Sequence, residues 1–366
     1  MGWRKDAEGV FFVKITPKVI KDFNHSKDDL LRFFSYFNEF FSFGKRIVVI
    51  WATGNSDHIF EYQGKNYQED KVPWARYTFG GKETGDEGKK YIFSKKTLKC
   101  RRIKDMVSGI KSVGKESGYP DIRVFEYLDP GSEFCENEFK YHRHPEIVAQ
   151  GHVDITTYLN KDSYIYSSYP KGIPNHTKAA DFVANQTGDY LTDMGMDGVF
   201  LGNAFGTIGH WFPERARGYS DSEAKAILYF FQHLKEILAE KQVMWMDSYW
   251  PRPVEHDRWS VPREAYDYMD YIMISTWAVL VKPDNIQPNI DSKLGLGKTK
   301  LIYQIDYVDP WYHYNAYIHY PSQLTHNIKL LYENMQKIDG IKIVGNDENG
   351  NFVPECELKR IYDALR

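Results

Sequence analysis

Residues 222–247 read SEAKAILYFFQHLKEILAEKQVMWMD, and the two halves of this stretch obey different periodicities. From Ser222 to Lys241, the apolar residues Ala226, Phe230, Leu234 and Ile237 recur at helical spacing, which gives a helix one apolar side. Gln242 to Met246 is a short apolar run bounded by Asp247, with the length of a buried strand. An amphipathic helix delivered straight into a buried strand is half of a parallel-sheet unit. Repeated eight times, that unit closes a (β/α)8 barrel.

Working outward in both directions, the unit does repeat. Strand one is read at Gly9 to Ile15. A helix follows from Ser26, whose hydroxyl with Asp29 resembles a capping arrangement, and runs through Leu30, Leu31, Phe34, Phe37 and Phe41 to Gly44. Strand two is Arg46 to Trp51, helix two Lys104 to Lys115, and strand three Ile122 to Tyr127, which ends in the turn Leu128-Asp129-Pro130-Gly131. Thr177 caps a helix to Met194, Gly195 stops it, and strand four is Gly198 to Gly202. After strand five, a short helix from Arg263 leads to strand six, Tyr271 to Ile274. Strand seven is Lys300 to Ile305, a helix covers Ser322 to Ile338, strand eight is Ile341 to Val344, and Glu355 to Leu365 is a closing helix. The expectation is one α/β domain over residues 1–366, a TIM barrel with loop insertions at 53–91 and 133–174, after strands two and three. Residues 153–158 and 163–168 alternate and predict a hairpin within the second insertion. An open doubly wound sheet would need phosphate or nucleotide signals that the sequence lacks.

The composition supports a large core: 42% apolar residues, 27% charged, and a formal net charge of -3. So near-neutral a balance leaves no electrostatic footprint for nucleic acid or an anionic membrane, and the basic cluster at Lys95 to Arg102 reads as a solvated face. Cys100, Cys135 and Cys356 lie far apart and form no bridge framework. No apolar run reaches the length of about 18 residues that spans a membrane, and no signal peptide is read at Met1. A cytoplasmic protein and a secreted one whose leader has been removed both fit, and the oligomeric state is open. Aromatic content is high at 16%, with Trp74, Trp211, Trp250, Trp259, Trp277, Trp311 and Tyr312 in polar, turn-like segments. Flat rings with a polar edge suit sugar rings, whose C–H faces are apolar and whose hydroxyls need hydrogen bonds.

In a barrel of this kind the site lies at the carboxyl ends of the strands. Those ends are rich in polar and aromatic residues: Glu126-Tyr127-Leu128-Asp129, Gly202-Asn203-Ala204, Met246-Asp247-Ser248-Tyr249-Trp250, Ser275-Thr276-Trp277 and Gln304-Ile305-Asp306-Tyr307. The segment Gly195-Met196-Asp197-Gly198-Val199-Phe200-Leu201-Gly202-Asn203 resembles the fourth strand of barrel glycoside hydrolases. Dextranase-like and related α-glycosidase families carry a similar Gly-x-Asp-Gly before a strand that ends in a nucleophilic Asp. The resemblance covers about 30 residues well and implies the barrel and, less specifically, glycosidic-bond hydrolysis without a cofactor. Asn203 stands where the nucleophile would be, and an amide cannot attack an anomeric carbon as a carboxylate does. Asn203 then binds a sugar hydroxyl or holds a water. Asp197 precedes the strand and reads as a turn residue.

A glycosidase flanks the scissile bond with one protonated and one ionised carboxyl, about 5–5.5 Å apart for retention or about 6.5–9.5 Å for inversion. The strand-end acids are Asp247, Glu126 and Asp306. Asp247, between Trp245 and Trp250, suits the acid because apolar surroundings raise a carboxyl pKa, leaving Glu126 or Asp306 as base or nucleophile. Pairing with an arginine such as Arg252 is the plain structural alternative for each. Trp51, His210, Trp211, Tyr249 and Trp250 are expected to bind substrate. Trp277, Gln304 and Trp311 join them, with Asp57 and His58 in the cleft; Asp309, before Pro310, reads as a turn-former. The partner expected is an oligo- or polysaccharide.

Two other signals carry little. Ser292 to Thr299 looks like a phosphate loop, but the leading Gly is Ser292 and the segment precedes a strand. His142 and His144, with His152 nearby, alternate as in metal-dependent barrel hydrolases, but they stand in an insertion rather than at the end of strand one. No metal is therefore expected. A carbohydrate-binding barrel without catalysis, in which Asn203 marks a lost nucleophile, and a metal-dependent hydrolase are the competing readings.

Overall fold

The computed structural model describes residues 7–14, 27–28, 31, 45–51, 59–62, 65–68, 83–86, 89–92, 98–119, 121–128, 184, 187–202, 221–247, 262–274, 286–294, 296, 298–305, 321–346, 352 and 356. Eight parallel strands close a barrel. In chain order they are β1 (Glu8–Lys14), β2 (Lys45–Trp51), β7 (Ile122–Leu128), β8 (Gly198–Leu201), β9 (Gln242–Asp247), β10 (Tyr271–Ile274), β11 (Lys300–Ile305) and β12 (Gly340–Val344). Each barrel strand pairs with its neighbour in sequence, and β12 pairs with β1 to close the ring. Between β2 and β7 stand two small antiparallel pairs, β3 (Ile59–Tyr62) with β4 (Lys65–Gln68) and β5 (Glu83–Asp86) with β6 (Lys89–Ile92). The expected first insertion thus has strand structure of its own. The expected second insertion, with its hairpin, lies outside the described residues, as does most of the closing helix.

The helices are α1 (Leu98–Glu116), α2 (Asp221–Leu238), α3 (Ile286–Lys293) and α4 (Pro321–Asn334), together with a helical stretch at 187–194 and a 3-10 helix at Arg263–Tyr268. Helix α1 starts six residues before the expected Lys104, inside the basic cluster. Helix α3 ends inside the segment that looks like a phosphate loop. No helix among the described residues is long and apolar enough to cross a membrane. Phe230, Phe231, Leu234 and Leu238 of α2 are buried, and Phe231 meets Trp245 of β9 edge to face at 5.4 Å. Full burial of each such side chain contributes about 1.5–3 kcal/mol.

Strand register assigns the two faces of every barrel strand, because residues paired across parallel strands point to the same side. Arg123, Phe125 and Tyr127 of β7 align with the series Gly198 and Phe200 of β8, then Gln242, Met244 and Met246 of β9. Tyr271 and Met273, then Lys300, Ile302 and Gln304, then Gly340, Lys342 and Val344 continue it through β10, β11 and β12. Glu8, Val10 and Phe12 of β1, with Ile47 and Val49 of β2, complete the ring and return to Arg123 and Phe125. This is the interior series. The alternate residues, such as Trp245 against Phe231, face the helices.

The interior is charged at the amino-terminal ends of the strands. Glu8, fully buried, takes bonds from Arg123 at 2.5 Å, Lys300 at 2.6 Å and the Tyr271 hydroxyl at 3.1 Å. Tyr271 in turn accepts from Arg123 and Gln242, and Gln242 accepts from Arg123. Burial first, then the Glu8 charge, push the Tyr271 phenol up to about 12.

At the same end a three-fold motif locks strands together in pairs. Asp197, Asp270 and Asp339 stand immediately before β8, β10 and β12. Each donates its backbone N–H to the carbonyl of Val124, Val243 or Leu301, all at 2.8 Å. Each carboxylate accepts the N–H of that same residue, at 2.8, 2.8 and 2.9 Å. Each carbonyl accepts the N–H that opens the next barrel strand, from Gln242, Lys300 or Glu8. Lys111 and Lys235 pair with Asp197 and Asp270 at 2.6 and 2.7 Å. The residue before β2 is Gly44, which has no carboxylate.

Candidate active site

Toward the carboxyl ends the interior changes character. Phe12, Tyr127 and Phe200 form a triangle of rings whose closest centroids are 5.2 Å apart, all edge to face. Gly202 follows β8 where a Cβ would overlap the Tyr127 hydroxyl, so the close approach needs glycine. Beside these rings stands Lys342, only 1% exposed, whose Nζ lies 4.7 Å from the Phe12 centroid and 5.5 Å from that of Phe200. Its ammonium donates to Gln304 Oε1 at 2.8 Å, across the register pair Gln304–Lys342 of β11 and β12. An amide oxygen and two ring faces are the contacts a buried cation seeks. Together these side chains form a floor beneath the rim on which barrel sites are built.

Of the residues selected from sequence, Gln304 lies on this floor. Glu126 does not: it is 2% exposed and lies on the alternate series of β7, in register with Ile50 and Val199. Its Oε2 accepts the Tyr190 hydroxyl at 3.0 Å, from the helical stretch between β7 and β8. The pleat is the reason: Phe125 and Tyr127 take the interior, so Glu126 is turned to the helix layer. Trp51 is the last residue of β2, in register with Lys14 at a position of the interior series, and Asp247 is the last of β9, in register with Ile274 and two residues beyond Trp245, at a position of the alternate series like Glu126. Asn203, His210, Trp211, Tyr249, Trp250, Trp277, Asp306 and Trp311 lie outside the described residues. So do Asp57, His58, His142, His144, His152, Arg252 and Asp309.

Sequence reasoning overlooked Lys342. The signal was present in Gly340-Ile341-Lys342-Ile343-Val344, where a lysine interrupts an apolar strand of a sheet covered on both faces. Such a lysine has to lie in the barrel or against a helix.

No protein-family model and no curated protein sequence matches the chain. Among solved structures, a broad-specificity endoglucanase from an uncultured bacterium is similar at 10% identity and a TM-score of 0.50, over 99% of this chain and 95% of that one. A chitinase from Bacteroides thetaiotaomicron is similar at 10% identity and a TM-score of 0.49, over 98% of this chain and 96% of that one. Closed parallel ring, strand order and endoglucanase likeness agree on one architecture: the chain folds as a (β/α)8 barrel.

Proposed function

We propose that this protein is a glycoside hydrolase that cleaves an O-glycosidic bond in an oligo- or polysaccharide, with Asp247 and Asp306 as its carboxyl pair. The observation that carries the reading is the polar floor of Lys342 and Gln304, set among aromatic rings beneath strand ends whose sequence supplies acids and tryptophans. The resemblance of residues 195–203 to the fourth strand of barrel glycosidases supports it, as does the fold shared with an endoglucanase.

In this reading Asp247 is the general acid that protonates the leaving oxygen, which requires the chain to leave the barrel register at this last residue of β9, since in register it continues the alternate series of Trp245. Asp306, immediately after β11, is the ionised partner that activates a water or attacks the anomeric carbon. Burial against Tyr190 suits Glu126 to holding the helix layer to β7 rather than to reaching a sugar. Asn203 cannot be a nucleophile, so the second carboxyl comes from another strand. Asn203, Gln304 and the aromatic side chains after β9, β10 and β11 hold the sugar.

A panel of labelled glycans, read by product mass, tests the proposal. The wild type should cleave at least one class, and Asp247→Asn and Asp306→Asn should fold normally yet lose about a hundredfold or more in turnover. Full activity in both variants would overturn the assignment of the pair. Saccharide binding without products would mark a binding protein instead.

A further inference from the structure

Seven of the eight ladders in the ring join barrel strands that follow one another in the chain, and the eighth, between β12 and β1, joins the two ends. That seam pairs Glu8 to Phe12 with Gly340 to Val344, and the Glu8 N–H donates to the Asp339 carbonyl at 2.8 Å. Bringing these two edges together closes the longest loop of the ring. It therefore carries the largest loop-closure cost and the highest contact order of any ladder.

The buried Glu8 side chain sits at this seam. Its Oε2 accepts from Arg123 and its Oε1 from Lys300 and Tyr271, across 115, 292 and 263 residues of chain. In the ring order Arg123 of β7 stands two strands from β1 on the β2 side, and Lys300 of β11 two strands away on the β12 side. One carboxylate binds both cations only when the ring is shut. With the ring open, one cation is out of reach and water takes its place. The aspartate motif is different: Asp270 reaches Val243 27 residues away and ties β10 to β9, strands that are successive in the chain, so its contact forms in an open sheet as well.

We infer that Glu8 is the latch of the barrel: β1 meets β12 last as the ring forms, and the Glu8 hub, completed only then, sets how slowly the ring reopens. A contact absent from the folding transition state leaves the folding rate alone and acts wholly on unfolding. A contact between successive strands that is already made at the transition state acts on folding instead. The latch stands at the amino-terminal ends of the strands and holds whatever reaction the opposite rim carries.

The experiment compares unfolding and refolding rates after urea jumps, followed by tryptophan fluorescence, for the full-length wild type, Glu8→Gln, Lys300→Met and Asp270→Ala. Pulsed amide exchange, read by mass spectrometry during refolding of the wild type, runs beside it. Glu8→Gln should unfold about a hundredfold faster and refold within about twofold of the wild type. Lys300→Met should unfold about fivefold faster, again with refolding little changed. Asp270→Ala should chiefly slow refolding. In the wild type, residues 340–344 should complete their protection after 242–247 and 271–274. A Glu8→Gln effect that falls on refolding, or that divides between the two rates as the Asp270→Ala effect does, overturns the inference. If Glu8→Gln does not fold, the same division in Lys300→Met overturns it. Protection of 340–344 no later than that of 242–247 overturns it without any variant.

Discussion

Glu8→Gln is the sharpest perturbation of the charged interior at the amino-terminal end of the barrel. The substitution keeps volume and shape, so cavity formation contributes nothing. It keeps one carbonyl oxygen, so either the Oε1 bonds from Lys300 and Tyr271 or the Oε2 bond from Arg123 persist in weaker form. What disappears is the only negative charge of the cluster, which leaves two cations facing each other. Breaking a buried ion pair by removing one partner costs about 3–5 kcal/mol. The side chains of Lys300 and Arg123 are 39% and 20% exposed, so water relieves part of the penalty, and the lower end, about 3 kcal/mol, is expected. Urea unfolding followed by tryptophan fluorescence and far-ultraviolet circular dichroism measures it, provided the two transitions coincide. Lys300→Met alone should cost about 1 kcal/mol, and the double variant should recover about 1–2 kcal/mol relative to additivity. A Glu8→Gln protein within about 0.5 kcal/mol of the wild type would refute the view that this cluster stabilises the barrel.

Three further outcomes follow from the same end of the barrel and from its floor. The Tyr271 phenol sits at about 12 when folded, above its ordinary value near 10, so its contribution is complete below pH 10 and is lost as pH rises through 12; Tyr271→Phe should flatten the alkaline fall in stability by about 3 kcal/mol. Asp270→Ala leaves the Val243 N–H without its acceptor and should cost about 1–3 kcal/mol, whereas Asp270→Asn keeps an acceptor, loses only the partly exposed Lys235 charge, and should cost about 1 kcal/mol; amide exchange at Val243 should accelerate in that order. Gly202→Ala drives a methyl group into the Tyr127 hydroxyl and should cost about 1–3 kcal/mol in urea unfolding, and a neutral result would mean that the strand end gives way freely.

Why the architecture was readable while the site was not comes down to what each depends on. Helical spacing in 222–241 and the run Gln242–Met246 are local patterns, and the structure returns them as α2 and β9 with end shifts of a few residues. Arg263 was expected to start a short helix, and it starts the 3-10 helix Arg263–Tyr268, which ends just before β10 begins at Tyr271. The facing of a strand residue, by contrast, depends on register around a closed ring. Glu126 was selected for its position at a strand end, yet one residue of parity turns it to Tyr190 and the helices. Lys342 was passed over because its neighbours Ile341 and Ile343 make the strand look wholly apolar, although the same parity carries it to the interior beside Gln304. Asp197 was expected to be a turn residue, yet its carboxylate reaches Val124 and Lys111 far away in sequence, and the recurrence of its role at Asp270 and Asp339 emerges only when the strands are laid side by side.

Hydrolysis in 18O-enriched water tests the central claim most directly. Incubation of the wild type with the glycan it cleaves best should give products whose new reducing ends each carry one heavy oxygen, with the label absent from Asp247→Asn and Asp306→Asn incubations because cleavage itself is lost. Cleavage without label would show that the bond is broken by elimination or by transfer to another sugar. No cleavage of any glycan would contradict the account outright.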